Sequence, residues 1–274
     1  MRTLPRKRRG LAAAGLGLAL LPAALVLPVT ATATATGTAT GTARSTATTD
    51  RPAVIGRRVI GHSVQGRPIV AWHLGHRGRK KVVLIAVMHG GEPAPRRILT
   101  DLRDGPPVHR LNLWVVPVYN PDGLAHHTRQ NAHGVDPNRN YPYKWIPQDG
   151  GYESGPRPAS EPETRAMMRF LSWVRPAYVL SFHQPLHAVD VTARPKFSRR
   201  VARALGLPTS SLDCGSSCHG TMTMWFNHKF RGFALTVEYG AAPSARKLRA
   251  APDRILKLFG AWRGGVVGVP RETR

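Results

Sequence analysis

Three apolar runs in this 274-residue chain stop at side chains that can bind a metal or move a proton. Val82 to Met88 runs into His89-Gly90-Gly91-Glu92, Tyr178 to Phe182 ends at His183, and Phe233 to Val237 ends at Glu238. Imidazole nitrogen and carboxylate oxygen are common zinc ligands, and a catalytic zinc site often takes three protein ligands and leaves one position for water. His89 and Glu92, three apart on a turn, can bend toward one point. A lone His-x-x-Glu fits a solvated loop equally well. Acids and imidazoles on one rim of a sheet are a stronger pattern, because open α/β sheets bind ligands just past the carboxyl ends of their strands.

The elements that must position these residues follow from periodicity. Val82 to Val87 is rich in β-branched residues and reads as a strand buried on both faces. Pro93 to Asp104 carries Ile98, Leu99 and Leu102 as a helical stripe, and Leu111 to Tyr119 is a second strand-like run. Asn120-Pro121-Asp122-Gly123 is a turn signal. Residues 131–155 are rich in Gly, Pro and Asn and read as an active-site loop. Ser160-Glu161-Pro162-Glu163 reads as a capping box that launches a helix bearing Met167, Leu171 and Val174. Ile69 to Trp72 starts a strand, Lys196 to Leu205 is a basic helix, and Ser244 to Trp262 is a last helix. Strands alternating with helices mean an α/β fold. We find no internal repeat.

The first fifty residues are of another kind. Arg2, Arg6, Lys7, Arg8 and Arg9 precede an apolar run from Leu11 to Val29, then an Ala/Thr alternation. Basic start, apolar middle and small residues near Ala31 to Ala35 are the layout of a secretory signal over residues 1–35. An uncleaved anchor is the alternative, and Arg8-Arg9 leaves a twin-Arg route open. Residues 36–50 read as a Thr/Ala-rich linker and 51–274 as the folded domain. Residues 1–50 hold six Lys/Arg and one Asp, leaving 34 basic and 14 acidic residues, net +20, for 51–274. Such a surface accumulates near anionic polymer. No nucleic-acid motif or interleaving of basic and aromatic residues accompanies it, so a nucleic-acid partner is not expected. Anionic wall polymers or lipid head groups are the expected neighbours of an exported chain, with a solvated Arg-rich surface as the plain alternative. Cys214 and Cys218 are most simply a small disulfide; a metal role with His219 is the lesser alternative.

Five stretches together resemble the M14 family of zinc carboxypeptidases: His89-Gly90-Gly91-Glu92, Asn120-Pro121-Asp122-Gly123, Gly134-Val135-Asp136-Pro137-Asn138-Arg139-Asn140, Ser181-Phe182-His183 and Thr236-Val237-Glu238-Tyr239. Thr128 to Ala132 and Ser154-Gly155-Pro156 with Glu161 to Thr164 look like the branch that contains bacterial murein peptide amidases, which cut the γ-D-glutamyl–diaminopimelate bond. The resemblance spans about Val54 to Gly240. It implies a three-layer α/β/α fold with a mixed, mostly parallel central sheet. It also implies one Zn²⁺ held by His89, Glu92 and His183, Glu238 as general base, and Arg129 facing the developing oxyanion. Asn138 and Arg139 match the clamp for a terminal carboxylate, a task suited to the planar guanidinium fork.

The expected substrate is therefore a peptide with a free C-terminal carboxylate, cut by a monomer, outside the cell or at its wall. An ordinary-peptide carboxypeptidase and a noncatalytic basic wall-binding protein on the same scaffold are the competing readings. One departure stands out. Many digestive members carry a mobile Tyr between the third ligand and the base, whereas this chain has no Tyr from Leu186 to Val237. Thr221 and His219 fall in the region that shapes the family's side-chain pocket. His126, His127, His133 and His187 are expected to be solvated or packed.

Overall fold

The computed structural model describes residues 52–212 and 218–264. The expected signal and linker lie outside them, as does Cys214 and with it the Cys214–Cys218 pairing.

The central strand is β3 (Lys81–Ala86), every residue of which is buried after Lys81. Its alternation feeds two cores. Val82, Leu84 and Ala86 pack into one apolar cluster, and Val83 and Ile85 into another on the opposite face. A strand apolar on both faces needs cover on both, so layered helices are required. On the first face lie α1 (Arg96–Arg103), α4 (Pro195–Leu205) and α6 (Ala245–Leu258), contributing Leu99, Val201 and Ile255. On the second lie α3 (Pro162–Val174) and α5 (Met222–Lys229), contributing Met167, Phe170 and Phe226. The architecture is three-layer α/β/α.

The remaining sheet strands are β1 (Val54–His62), β2 (Pro68–Gly75), β5 (Asn112–Val116), β6 (Tyr178–His183), β7 (Leu186–Asp190), β8 (Thr209–Ser210) and β9 (Phe233–Gly240). A separate ribbon joins β4 (Val108–His109) and β10 (Trp262–Arg263). Strand order in the main sheet is β1-β2-β5-β3-β6-β9-β7-β8. The four inner strands β5, β3, β6 and β9 are parallel, with antiparallel neighbours β2 and β7. Ala86 pairs with Phe182 and His183 with Glu238, so the chemistry-bearing residues share one rim, although β9 runs past Glu238 to Gly240 instead of ending there as expected.

Three local expectations change. Asn120 to Gly123 is the start of a short helix, α2 (Pro121–His126), because the Asn120 side chain caps the Gly123 N–H at 2.9 Å and Pro121 sits in the first turn. Ser160 to Glu163 is no capping box. Glu161 is the N-cap of α3 and makes no side-chain cap bond. Glu163 instead accepts from Val64 N and Asn131 Nδ2, tying the helix start to β1's turn and to the loop. The last helix stops at Leu258, and Trp262 joins β10. Strand β7 and helix α5 were not foreseen.

Candidate functional site

His89 and Glu92 stand on the loop that follows β3. Its first glycine makes a close backbone approach: a Cβ on Gly90 would fall 1.9 Å from the carbonyl of Gly123. The metal loop and the start of α2 are therefore in backbone contact. Gly91 N–H adds a bond to Thr128 O at 3.2 Å, and Asn120 N–H donates to Val87 O at 2.9 Å. These contacts bring the chain of Arg129 beside the metal loop.

The three expected ligands meet. His89 Nδ1 lies 2.7 Å from Glu92 Oε1, and His183 Nδ1 lies 3.0 Å from Glu92 Oε2. Ligand atoms from all three residues lie within 4.8 Å of one another, and all three side chains are buried. The far nitrogens are also engaged: His89 Nε2 is 3.0 Å from Asp136 Oδ1, and His183 Nε2 is 2.8 Å from Ser181 Oγ. Such outer acceptors fix a ring's tautomer and turn its Nδ1 lone pair toward a metal. Two imidazoles and a carboxylate, converging and held from behind, fit a catalytic zinc site.

Electrostatics bind the cluster together. Burial opposes a charge on His89, but Asp136 and Glu92 outweigh it and raise its pKa to about 9. Burial pushes Glu92 up, yet His89 and His183 hold it well below the usual carboxylate range. Asp136 behaves the same way, with His89, Arg129 and Arg139 overcoming its burial. Glu238 differs. Burial raises its pKa, His183 opposes, and nearby Glu92 adds to the rise. The only hydrogen bond to its carboxylate among the described residues is a long one, from Leu186 N–H to Oε2 at 3.4 Å.

All the remaining site candidates line the same cavity of about 880 Å³: Arg129, Asn138, Arg139 and Glu238 beside the triad. Arg129 pairs with Asp136 through Nε at 2.9 Å and reaches Glu92 Oε1 at 3.5 Å. Arg139 is almost fully buried, yet it has few partners. One guanidinium nitrogen donates to Asn138 O at 2.9 Å, Asp136 is 3.9 Å away, and Nε has no partner. Asn138 uses Oδ1 to accept from Met222 N, which leaves its amide NH₂ as a donor. Thr221 lines the cavity and caps α5. His219 instead contacts Lys144 O at 3.2 Å, and His133 pairs with Glu161 away from the site.

Three participants were not read from the sequence. Asp136 was visible only as one letter of a motif; nothing in local spacing places it behind a histidine 47 positions earlier. Ser181 alternates with His183 along β6, a period-two relation that could have been used. Tyr152, on a short 3₁₀ turn (Gly150–Tyr152), lines the cavity with Tyr143.

Comparison with known proteins agrees with this geometry. The zinc carboxypeptidase family of M14 peptidases matches residues 45–188. Murein peptide amidase A of Escherichia coli K12 is 31% identical over 185 residues, spanning 62% of this chain and 76% of that protein. Human carboxypeptidase B is 26% identical over 212 residues, covering 63% of this chain and 51% of that one. The crystal structure of murein-tripeptide amidase from Escherichia coli O157 superposes with a TM-score of 0.64 at 26% identity, covering 77% of this chain and 94% of that chain.

Proposed function

The chain belongs to the M14 zinc carboxypeptidase family, and on that premise we propose that it hydrolyses the amide bond next to a free C-terminal carboxylate in murein stem peptides. The observation that carries this reading is Arg139. A buried guanidinium with an unpartnered Nε, lining the cavity of the metal triad and only 3.9 Å from an Asp136 it shares with Arg129, keeps donors free for a second anion. Buried charges persist where a partner compensates them, and a carboxylate matches the guanidinium fork. The similarity to a murein peptide amidase over three quarters of its length supports the substrate class.

Zinc, when bound by His89, Glu92 and His183, supplies a Lewis acid that polarises a carbonyl and lowers the pKa of water. The chain's own groups do the rest. Arg139 and Asn138 hold the terminal carboxylate and so set which bond faces the triad. Glu238, raised in pKa and nearly free of hydrogen bonds, takes the proton of the attacking water and returns it to the leaving amine. Arg129 offers its guanidinium to the developing oxyanion, and Asp136 fixes its direction.

The test is product analysis by mass spectrometry. L-Ala-γ-D-Glu-diaminopimelate, α-linked peptides and their C-terminal amides are offered side by side. We expect release of diaminopimelate and no cut in the amides. Preference for α-linked acids favours an ordinary carboxypeptidase, to which the likeness to carboxypeptidase B also points. Cleavage of acids and amides alike refutes the clamp. In the companion substitution Arg139→Lys, the point charge loses one of two parallel bonds, so KM rises about 10–100-fold with kcat less affected.

Export completes the proposal. Residues 1–35 act as a cleaved signal, the mature chain works at the wall, and Cys214 bonds Cys218. Support comes from the basic-apolar-small layout and the close cysteine pair. The mass of the mature protein from the culture medium, with and without reductant and alkylation, checks the cleavage and the disulfide.

A further inference from the structure

The tyrosine that digestive relatives place between third ligand and base is absent here, but another aromatic residue enters the cavity from the opposite loop. The Tyr152 ring lies 4.7 Å from the Arg139 guanidinium carbon and 5.2 Å from that of Arg129. It is 44% exposed and lines the cavity of the triad. One exposed tyrosine on a turn is unremarkable by itself. Two guanidinia converging on one ring inside a catalytic cavity are not.

The turn that carries it is tied to the loop that carries both arginines. Gln130 Nε2 donates to Gly150 O at 3.2 Å, and Asp136 N–H donates to Glu153 O at 2.7 Å. Gly150 has φ +65°, a conformation glycine takes at no steric cost. Arg129 and Arg139 repel each other, and Asp136 is the carboxylate within ion-pairing distance of both. It already serves His89 and the Asn138 N–H. The negative face of an aromatic ring attracts a guanidinium without adding a net charge that would compete for it. A carboxylate in place of Tyr152 would fill the clamp; a ring leaves it open to the substrate's carboxylate.

We infer that Tyr152 is a positioning residue of the carboxylate clamp, whose ring holds the Arg139 guanidinium in place beside Arg129 and ready for an anionic C-terminus, while Asp136 keeps Arg129 directed at the oxyanion. This rests on the clamp proposed above. The role belongs to the ring face, not to the hydroxyl, and it acts on binding the acid rather than on breaking the bond.

The experiment compares the zinc-loaded wild type with Tyr152→Phe and Tyr152→Leu on one tripeptide and on its C-terminal amide. Tyr152→Leu should raise KM for the free acid about tenfold, the size of a lost cation–π contact to the buried Arg139 guanidinium. Its kcat should change less than about threefold, its handling of the amide should not change, and its Tm should match the wild type. Tyr152→Phe should behave as wild type. Titration calorimetry with an N-acetyl amino acid and its amide repeats the comparison without turnover. The inference is overturned if Tyr152→Leu keeps the wild-type KM, if Tyr152→Phe is equally impaired, or if the loss appears in kcat or Tm instead. Should the wild type itself treat acid and amide alike, the clamp fails first and the role of Tyr152 goes with it.

Discussion

Glu238 and Asp136 are two buried carboxylates in one site, and their surroundings give them opposite tasks. Asp136 faces His89, Arg129 and Arg139 and stays ionised far below ordinary carboxyl pKa values. Glu238 is dominated by burial, with His183, the Leu186 N–H and His89 against it and Glu92 on its side. A base must be deprotonated to work. Burial pushes the acid limb of kcat/KM up and the charge of a bound zinc pulls it down; in either case activity falls as pH drops through that limb. Glu238→Gln should remove the limb together with turnover, cutting kcat by about 10²–10⁴-fold, while zinc content measured on the purified protein stays near one per chain. A variant that keeps turnover removes Glu238 from the mechanism. Asp136→Asn acts differently. It leaves His89 Nε2 facing an amide and frees Arg129, so zinc affinity should fall about 10–100-fold by competition titration with a chelator. Loss of kcat at saturating zinc without loss of affinity would assign Asp136 to Arg129 alone.

Elements supply the positions, and here sequence and structure can be compared residue by residue. The strands were legible because β3, β6 and β9 lie inside the sheet: apolar runs of that kind stop abruptly where the chain turns, and His89 and His183 follow the stops of β3 and β6, whereas β9 runs two residues past Glu238 to Gly240. The helices α1 and α3 were legible from their stripes, and α4 was read as a basic helix. What escaped was set by contacts distant in sequence. Helix α5 has no strong apolar face; Met222, Trp225 and Phe226 pack beneath the sheet, but polar Thr223 and Asn227 alternate with them and line the cavity. The Ser160–Glu163 stretch copies a capping box, but Glu163 is drawn away to Val64 and Asn131. Asn120 to Gly123 reads as a turn until its helix is seen abutting Gly90. That last contact makes a sharp prediction. Gly90→Ala places a methyl 1.9 Å from a backbone carbonyl, which cannot rotate aside. The loop must shift, separating His89 and Glu92 from His183. We expect a loss of at least about 2–3 kcal/mol in denaturant unfolding, within the range of overpacking in a rigid site, and loss of stoichiometric zinc. Wild-type stability and zinc content would show that the loop relaxes without cost.

Across the whole molecule, charge and site divide the work. Residues 51–274 carry a net +20, and among the described residues every Lys and Arg but Arg139 is at least partly exposed, whereas Arg139 and the triad are buried in the cavity. Exposed charges are screened over about 8–10 Å at 0.1–0.15 M salt and about 3 Å at 1 M, while buried pairs are screened far less. The proposed association with an anionic wall polymer should therefore collapse with salt, and catalysis should not. In sedimentation with purified wall material, the mature protein should pellet at about 0.05 M NaCl and remain in the supernatant at 1 M. Over the same range, kcat/KM on a soluble tripeptide should change by less than about tenfold, since steering of the charged substrate is screened but the clamp contacts persist. Removing teichoic-type or other acidic polymers from the wall should have the effect of salt, whereas removing stem peptides should leave sedimentation unchanged. Retention that survives 1 M salt and disappears with the stem peptides would place the wall contact in the catalytic cavity, and the basic surface would then be no more than a solvated exterior.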